Sequence, residues 1–217
     1  MGRRMTTPKR RKAHIGRPKG ASSETTSARV LAAARTCFAR SGFAATTNKD
    51  IAEEAGVTPA TIYLYFESKT ALYHATVRDA FQELLPHYRA AASAPTLREA
   101  FRAVLTASAP LHERDPSLAA FFSALPIEMR RHKELEAVIR EEGQEVVVLF
   151  AQLVETGVRN KEISRAQAPH VLGLFIACTI GLALFVTSIE SKEFGGVLEA
   201  FGDLIGGTLF SPAKAAK

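Results

Sequence analysis

The sequence predicts an all-α protein: an N-terminal three-helix head carrying a helix-turn-helix, set on a larger helical body, with about nine helices in all. Three observations predict it. Apolar residues recur at helical spacing from Val30 onward, no segment alternates as a strand does, and two short helices meet at Gly56 between a capping box and a Thr-Pro start. With 217 residues, 47% of them hydrophobic, the chain can bury a substantial core. The expected division is a basic, disordered arm over 1–25, the head over 26–75 and the body over 76–217.

The first helix is expected over 28–41. Val30, Leu31, Ala34 and Phe38 share one face, and Ser41-Gly42 stops the run, because glycine takes the left-handed conformation that ends helices. Thr47-Asn-Lys-Asp50 reads as a capping box opening a helix whose inner face is Ile51, Ala52 and Ala55. Gly56 ends it after two turns. Val57-Thr58-Pro59 then supplies an N-cap hydroxyl and a proline at the first helical position, where its missing N–H costs nothing. From this third helix Ile62 and Phe66 point inward, and Ala60, Thr61, Leu64 and Tyr65 look outward. Ser68 caps a fourth helix over 68–85. Helices near 96–109, 117–125, 133–157, 166–188 and 193–209 follow, punctuated by Pro86, Pro95, Pro110, Pro116, Pro126 and Gly157.

Charge is unevenly placed. Residues 1–29 hold nine Lys or Arg against the single acid Glu24, a local +8, so the remaining residues, with 19 bases and 21 acids, sum to −2. A cationic leader on a near-neutral body binds polyanions by counterion release without making the body sticky, and nucleic acid leads the candidate partners. The leader has no apolar run of secretory-signal length. Cys37 and Cys178 lie too far apart in sequence for a disulfide framework and fit a reducing cytoplasm.

The stretch TTNKDIAEEAGVTPATIYLYFESKTALY, Thr46 to Tyr73, closely resembles the DNA-binding signature of the tetracycline-repressor (TetR) family. The upstream AAARTCFARSGFAATT resembles that family's first helix, and GVRNKEIS resembles a turn found before a long apolar helix in many members. The resemblance implies a cytoplasmic homodimer whose two heads bind a pseudo-palindromic operator. A small molecule in each body would respace the heads and release the DNA. It also implies that Thr58, Ala60, Thr61 and Leu64 face base edges and that Tyr63, Tyr65 and Lys69 face phosphates. Thr47, Asn48 and Lys49 match positions touching the backbone or a flanking base.

From Thr58 to Phe66 there is no Arg, Lys, Asn or Gln. Bidentate readout of guanine or adenine is therefore absent from this helix, and thymine-methyl contacts together with DNA shape become the source of selectivity. Lys49 is the nearby residue that could add a guanine contact.

In the body, Phe81, Leu85, Phe101, Leu105, Phe121, Phe122, Leu125, Phe150, Leu153 and Phe175 are candidates to line a pocket for a hydrophobic or amphipathic effector. Such a stripe is packed core more often than it is a pocket lining. His112, Glu128, Arg130, Gln152 and His170 are polar candidates for orienting the effector. The uncharged run Val171 to Val186 rises about 24 Å, short of the roughly 30 Å hydrocarbon core, so a buried bundle helix is expected. With the stripe from Phe194 to Leu209 it suits a two-helix dimer face, for which Val171, Phe175, Leu182, Phe185, Val197, Phe201 and Leu204 are candidates.

An enzyme finds no support: there is no phosphate loop, no nucleophile elbow, and no Cys or His pair at metal spacing, so neither cofactor nor metal is expected. A peripheral membrane protein, joining the leader to the Val171 run, is the alternative. Gly16-Arg17-Pro18 resembles the core of an AT-hook, and Arg-Pro keeps Arg17 out of helical geometry. Arg17 and Lys19 then enter or flank a minor groove while Lys9 to Lys12 meet phosphates, or the whole leader contributes charge alone. Deleting residues 1–20 is expected to weaken DNA binding and to flatten the salt dependence by about 0.9 per lost phosphate contact, with site choice unchanged, as measured by anisotropy titrations across salt.

Overall fold

The computed structural model describes residues 19–107, 109–189 and 191–207, in which helices and their connections account for every element. The helices are α1 (Lys19–Ala45), α2 (Asn48–Ala55), α3 (Pro59–Tyr63), α4 (Lys69–Ala91), α5 (Leu97–Ala107), α6 (Ala109–Arg114), α7 (Pro116–Arg131), α8 (Lys133–Arg159), α9 (Ala168–Val186) and α10 (Ser191–Gly206). The expected series appears, with the short α6 added in what read as a connection. A head–body boundary at 75/76 falls inside α4, so the two parts share a helix.

The largest departures from expectation are at both ends of α1 and at the ends of α4 and α7. α1 begins nine residues early, since no proline follows Pro18 to bar it. At Gly42 the backbone turns to φ 74°, ψ 171°, a conformation open to glycine and distinct from the left-handed cap expected; the chain kinks there and resumes as helix to Ala45. α4 and α7 run straight through Pro86 and Pro126. A proline inside a helix removes one hydrogen bond and crowds the carbonyl one turn earlier. In α4, Gln82 and Pro86 lie on the solvent side, where water takes the freed carbonyl, and burial of Tyr88 and Ala91 beyond the proline offsets the loss.

One apolar cluster runs from head to body. In the head Phe38 meets Tyr73 edge-on at 4.9 Å, and Tyr73 continues to Phe121 of α7 at 5.7 Å. In the body Tyr88, Phe150, Phe175 and Phe101 form a chain of rings, the last pair perpendicular at 4.2 Å.

Amid this core lies one buried guanidinium. Arg35 of α1 is 4% exposed and binds Glu83 at 3.0 Å and Asp79 at 3.5 Å on α4, together with Asp115 and Ser117 at the start of α7. Burial raises the Asp79 carboxyl above its ordinary value against the pull of Arg35, and neighbouring Glu83 and Asp115 add to the rise. Burial works upward on Asp115 too, but hydrogen bonds from Ser117 and the Arg35 charge outweigh it and hold that carboxyl low.

Two outcomes are expected. Arg35→Leu leaves three carboxylates without their shared cation and should cost about 3–5 kcal/mol. The Asp115 contribution is present above the ordinary carboxylate value near 4 and fades as pH falls through its depressed folded value. Asp79 has the opposite sign, because acidification relieves it. Asp115→Asn should therefore lower the Tm at pH 7 and flatten its fall below about pH 4, as followed by circular dichroism.

Candidate nucleic-acid interface and internal cavity

The head is built by caps. Thr47 Oγ1 accepts from Asp50 N–H at 3.2 Å while Asp50 Oδ2 accepts from Thr47 N–H at 2.8 Å, the reciprocal box that starts α2. Gly56 sits at φ 63°, ψ 38°, and Arg29 of α1 reaches over to donate to the Ala55 carbonyl at 2.7 Å, closing the end of α2. Thr58 then caps α3, its Oγ1 accepting from Thr61 N–H at 3.3 Å. Ile51, Ala52, Ala55 and Ile62 are buried, which orients the opposite face of α3 to solvent.

On that face Tyr63 and Leu64 are 59% and 82% exposed, beside exposed Thr58, Pro59 and Ala60. Thr58 and Thr61 hydroxyls lie 2.9 Å apart, so one donates to the other and one hydroxyl proton of the pair stays free. Tyr65 is half-buried beside Phe66. Thr47 and Lys49 are exposed at the start of α2, whereas Asn48 Oδ1 is buried without a hydrogen-bond partner. Thr47, Lys49, Thr58, Ala60, Tyr63 and Leu64 of the α2–α3 unit are all exposed.

Lys69 departs from the phosphate role that the resemblance implies. Its Nζ donates to the carbonyls of Phe43, Ala44 and Thr46 at 2.8, 3.2 and 3.0 Å and lies 4.6 Å from the centre of the Phe43 ring. All three ammonium donors are taken, and the residue closes the C-terminal carbonyls of α1. Arg17 lies outside the described residues, as does the Lys19 side chain.

A cavity of about 430 Å³ opens in the body among α4, α7, α8 and α9. Of the expected lining residues, Phe81, Phe122, Leu125 and Phe150 are there. Leu85, Phe101, Leu105, Phe121, Leu153 and Phe175 are packed in the core away from it, and His170 is exposed on α9. The physical reason is ring packing: Phe101 and Phe121 are consumed by aromatic neighbours on adjacent helices. Sequence reasoning missed Leu84, Tyr88, Met129, Arg140, Gln144 and Thr179. Tyr88 stands seven residues from Phe81 and four from Leu84, a helical signal hidden by ending α4 at Pro86.

Polar candidates also move. Gln152 and Arg130 are exposed, and the His112 side chain lies outside the described residues. Glu128, buried on α7, turns to the head, where its Oε2 accepts from Phe43 N–H at 3.1 Å and lies 3.6 Å from His132 Nε2. A side chain at Gly42 would come within 2.9 Å of Glu128 Oε1, so the Gly42 kink admits this contact. The helix that lines the cavity with Phe122, Leu125 and Met129 is thereby bonded to the last turn of α1, just before α2.

The expected dimer residues divide. Phe175 and Leu182 are 0% and 5% exposed and belong to the core, because α9 packs that side against α5, α7 and α8. Val171, Val197 and Phe201 are half-buried, and Phe185 and Leu204 are exposed. Contrary to a buried bundle helix, only 17% of the apolar 18-residue window in α9 is buried, with Leu174 and Leu184 more than half exposed. By length and composition alone α9 could cross a membrane.

The capped two-helix unit with its outward third helix defines a helix-turn-helix DNA-binding protein. Residues 30–76 match the family model of bacterial regulatory proteins, tetR family. The chain is 39% identical over 56 residues to an uncharacterized HTH-type transcriptional regulator, YfiR, of Bacillus subtilis, which is 26% of this chain and 27% of that one. It is 28% identical over 133 residues to the HTH-type transcriptional repressor KstR2 of Mycolicibacterium smegmatis, 61% of this chain and 57% of that one. The matched regions thus span less than two thirds of either relative. Among solved structures, a TetR-family regulator from Agrobacterium tumefaciens superposes with TM-score 0.70 at 18% identity, over 84% of this chain and 98% of its own. FadR of Bacillus subtilis in complex with stearoyl-CoA superposes at 0.66 and 20%, over 86% and 99%. Residues 30–76 thus carry the DNA-binding region of the tetR family, and the rest of the chain shares the fold of TetR-family regulators.

Lys69→Met is expected to destabilise the fold by about 2 kcal/mol through three orphaned carbonyls. Tyr63→Phe should leave the Tm unchanged and weaken binding to all DNA sequences alike. Thermal melts and anisotropy on specific and random duplexes separate the two.

Proposed function

We propose that the protein is a dimeric, cytoplasmic repressor that binds a pseudo-palindromic operator through α3 and is released by a hydrophobic or amphipathic molecule in the body cavity. In this reading residues 1–25 are an arm, 26–75 the DNA-binding head and 76–217 the ligand-binding and dimerising body. Thr58, Ala60, Thr61 and Leu64 face bases, and Thr47, Lys49, Tyr63 and Tyr65 face the backbone. Repression follows the repressor among the relatives, and an internal effector follows the acyl-ligand complex of FadR.

The observation that carries the reading is the double attachment of head to cavity. α4 runs from the Ser68 cap directly after the recognition segment to Phe81, Leu84 and Tyr88 on the cavity wall. α7 lines the same cavity and holds Phe43 through Glu128. A molecule that spreads α4 from α7 pulls the head at both points.

The exposed apolar residues of α9 and α10 supply the dimer face. Leu174, Leu184, Phe185 and Leu204 lie on it, and the surface beside Gly173, Gly181, Gly195 and Gly196 is open to a close-packed helix. A second copy covers this face, which removes the need for a membrane.

The test begins with unbiased selection of bound DNA, followed by anisotropy on the selected site with a library of apolar ligands. A releasing ligand should weaken operator affinity by about tenfold or more, and operator should weaken that ligand reciprocally. Glu128→Ala should keep operator binding and reduce the coupling. Coupling of wild-type size in that variant, or a library without any releasing member, contradicts the reading.

A further inference from the structure

The cavity wall has little polarity, and what it has is specific. Tyr88 is 6% exposed, lines the cavity and packs its ring on Phe150 at 5.3 Å. Its hydroxyl makes no hydrogen bond to the described residues and, unlike the fully enclosed Tyr73 hydroxyl, keeps some open surface, while burial of the residue lifts its proton affinity. It stays a neutral O–H in an apolar chamber, short of a partner. On the opposite wall Pro126 has no N–H to give the Phe122 carbonyl one turn before it, and both residues line the cavity. The polar groups of the lining are thus the Tyr88 hydroxyl, the Gln144 amide and the Thr179 hydroxyl, which already donates within α9, with a carbonyl lacking its helical donor on α7.

Charge is equally informative. Arg140 is the one charged side chain among the described lining residues, and its guanidinium is already bound to Glu136 at 3.0 Å, which Lys133 also meets at 3.2 Å. Arg140 is two-thirds exposed, so it stands at the mouth in water. An anionic group pushed into the chamber would find no free cation, while a neutral oxygen would find Tyr88.

We propose that the cavity selects an uncharged, mainly apolar molecule bearing a carbonyl or hydroxyl oxygen, which the buried Tyr88 hydroxyl recognises. At about 430 Å³ the cavity lies in the size range of small-molecule sites and has room for a compact apolar molecule. A ligand ketone accepts from Tyr88; a ligand alcohol accepts from Tyr88 and donates to the Phe122 carbonyl. The inference rests on reading the cavity as a ligand site. Its test uses the free full-length protein without DNA, so operator release stands or falls in its own assay.

The probes are phenylcyclohexane, 4-phenylcyclohexanone, 4-phenylcyclohexanol, 4-phenylcyclohexanecarboxylate and dodecanoyl-CoA, each displacing the neutral dye N-phenyl-1-naphthylamine. The ketone and the alcohol should bind about tenfold more tightly than the hydrocarbon. Tyr88→Phe should erase that difference and leave hydrocarbon affinity and Tm essentially as they were. Ala183→Leu, which fills the chamber from α9, should weaken all three neutral probes together. Tighter binding of the carboxylate or acyl-CoA than of the ketone overturns the proposal. So do an oxygen preference that survives Tyr88→Phe, a large Tm loss in that variant, or no binding by any neutral probe.

Discussion

The structure hangs on the buried guanidinium of Arg35. A charge taken out of water must be surrounded by opposite charge and hydrogen bonds, and here the partners come from two different helices, Asp79 and Glu83 from α4 and Asp115 with Ser117 from the start of α7. That requirement fixes α1 against both at once. Asp115 serves twice, since its other oxygen caps α7 by accepting from Ser117 N–H at 2.9 Å. Arg114 then reaches back to Glu83, so the acidic partners are themselves held. Apolar packing alone would let α1 slide along α4; a fork of donors with assigned acceptors does not.

From that junction the two body helices reach the DNA-facing unit by separate routes. α4 starts at the Ser68 cap, whose hydroxyl accepts from Ala71 N–H at 3.0 Å, and Lys69 beside it holds the carbonyls that precede α2. α7 ends at His132, and Glu128 one turn earlier holds Phe43, while the His132 ring stands edge-on to Phe43 at 5.2 Å. Lys69 and Glu128 therefore grip the same short stretch, Phe43 to Thr46, from opposite chemical sides: a cation on its carbonyls and a carboxylate on its N–H. The last turn of α1, just before α2, is thus held by both α4 and α7.

How legible this was in the sequence follows from the range of each signal. The head was readable because caps act over three residues: Thr47 with Asp50, Thr58 with Thr61, and Gly56 between them, all found where spacing placed them. Pro86 and Pro126 misled because the loss of one hydrogen bond is decided by what surrounds the freed carbonyl, which local sequence does not contain. Lys69 misled because its three acceptors lie 23 to 26 residues back. For the cavity, Phe81 and Phe122 were found and Phe101 and Phe175 misplaced, since the same period serves a void and a packed core. Only the approach of α5 to α9 decides that the latter two rings close on each other. The apolarity of α9 was plain, but which of its residues face its own chain required the positions of α5, α7 and α8.

The weak base-reading chemistry of α3 and the double grip on the head fit one regulatory logic. With Leu64, Ala60 and a threonine pair outward, and no bidentate donor from Thr58 to Phe66, one head gains little discrimination from base edges. In the proposed dimer, selectivity then falls to phosphate register and to the spacing of two heads along the duplex, because both must seat together for the contacts to add. A head with strong base contacts would tolerate some mis-spacing. One that relies on register does not, so in the proposed dimer a small displacement of Phe43 to Thr46 by α4 and α7 would suffice to lose the second seat. In the proposed repressor, sparse recognition in α3 and tight attachment to the cavity are thus complementary: the first would make binding depend on geometry, and the second would give a ligand control of that geometry.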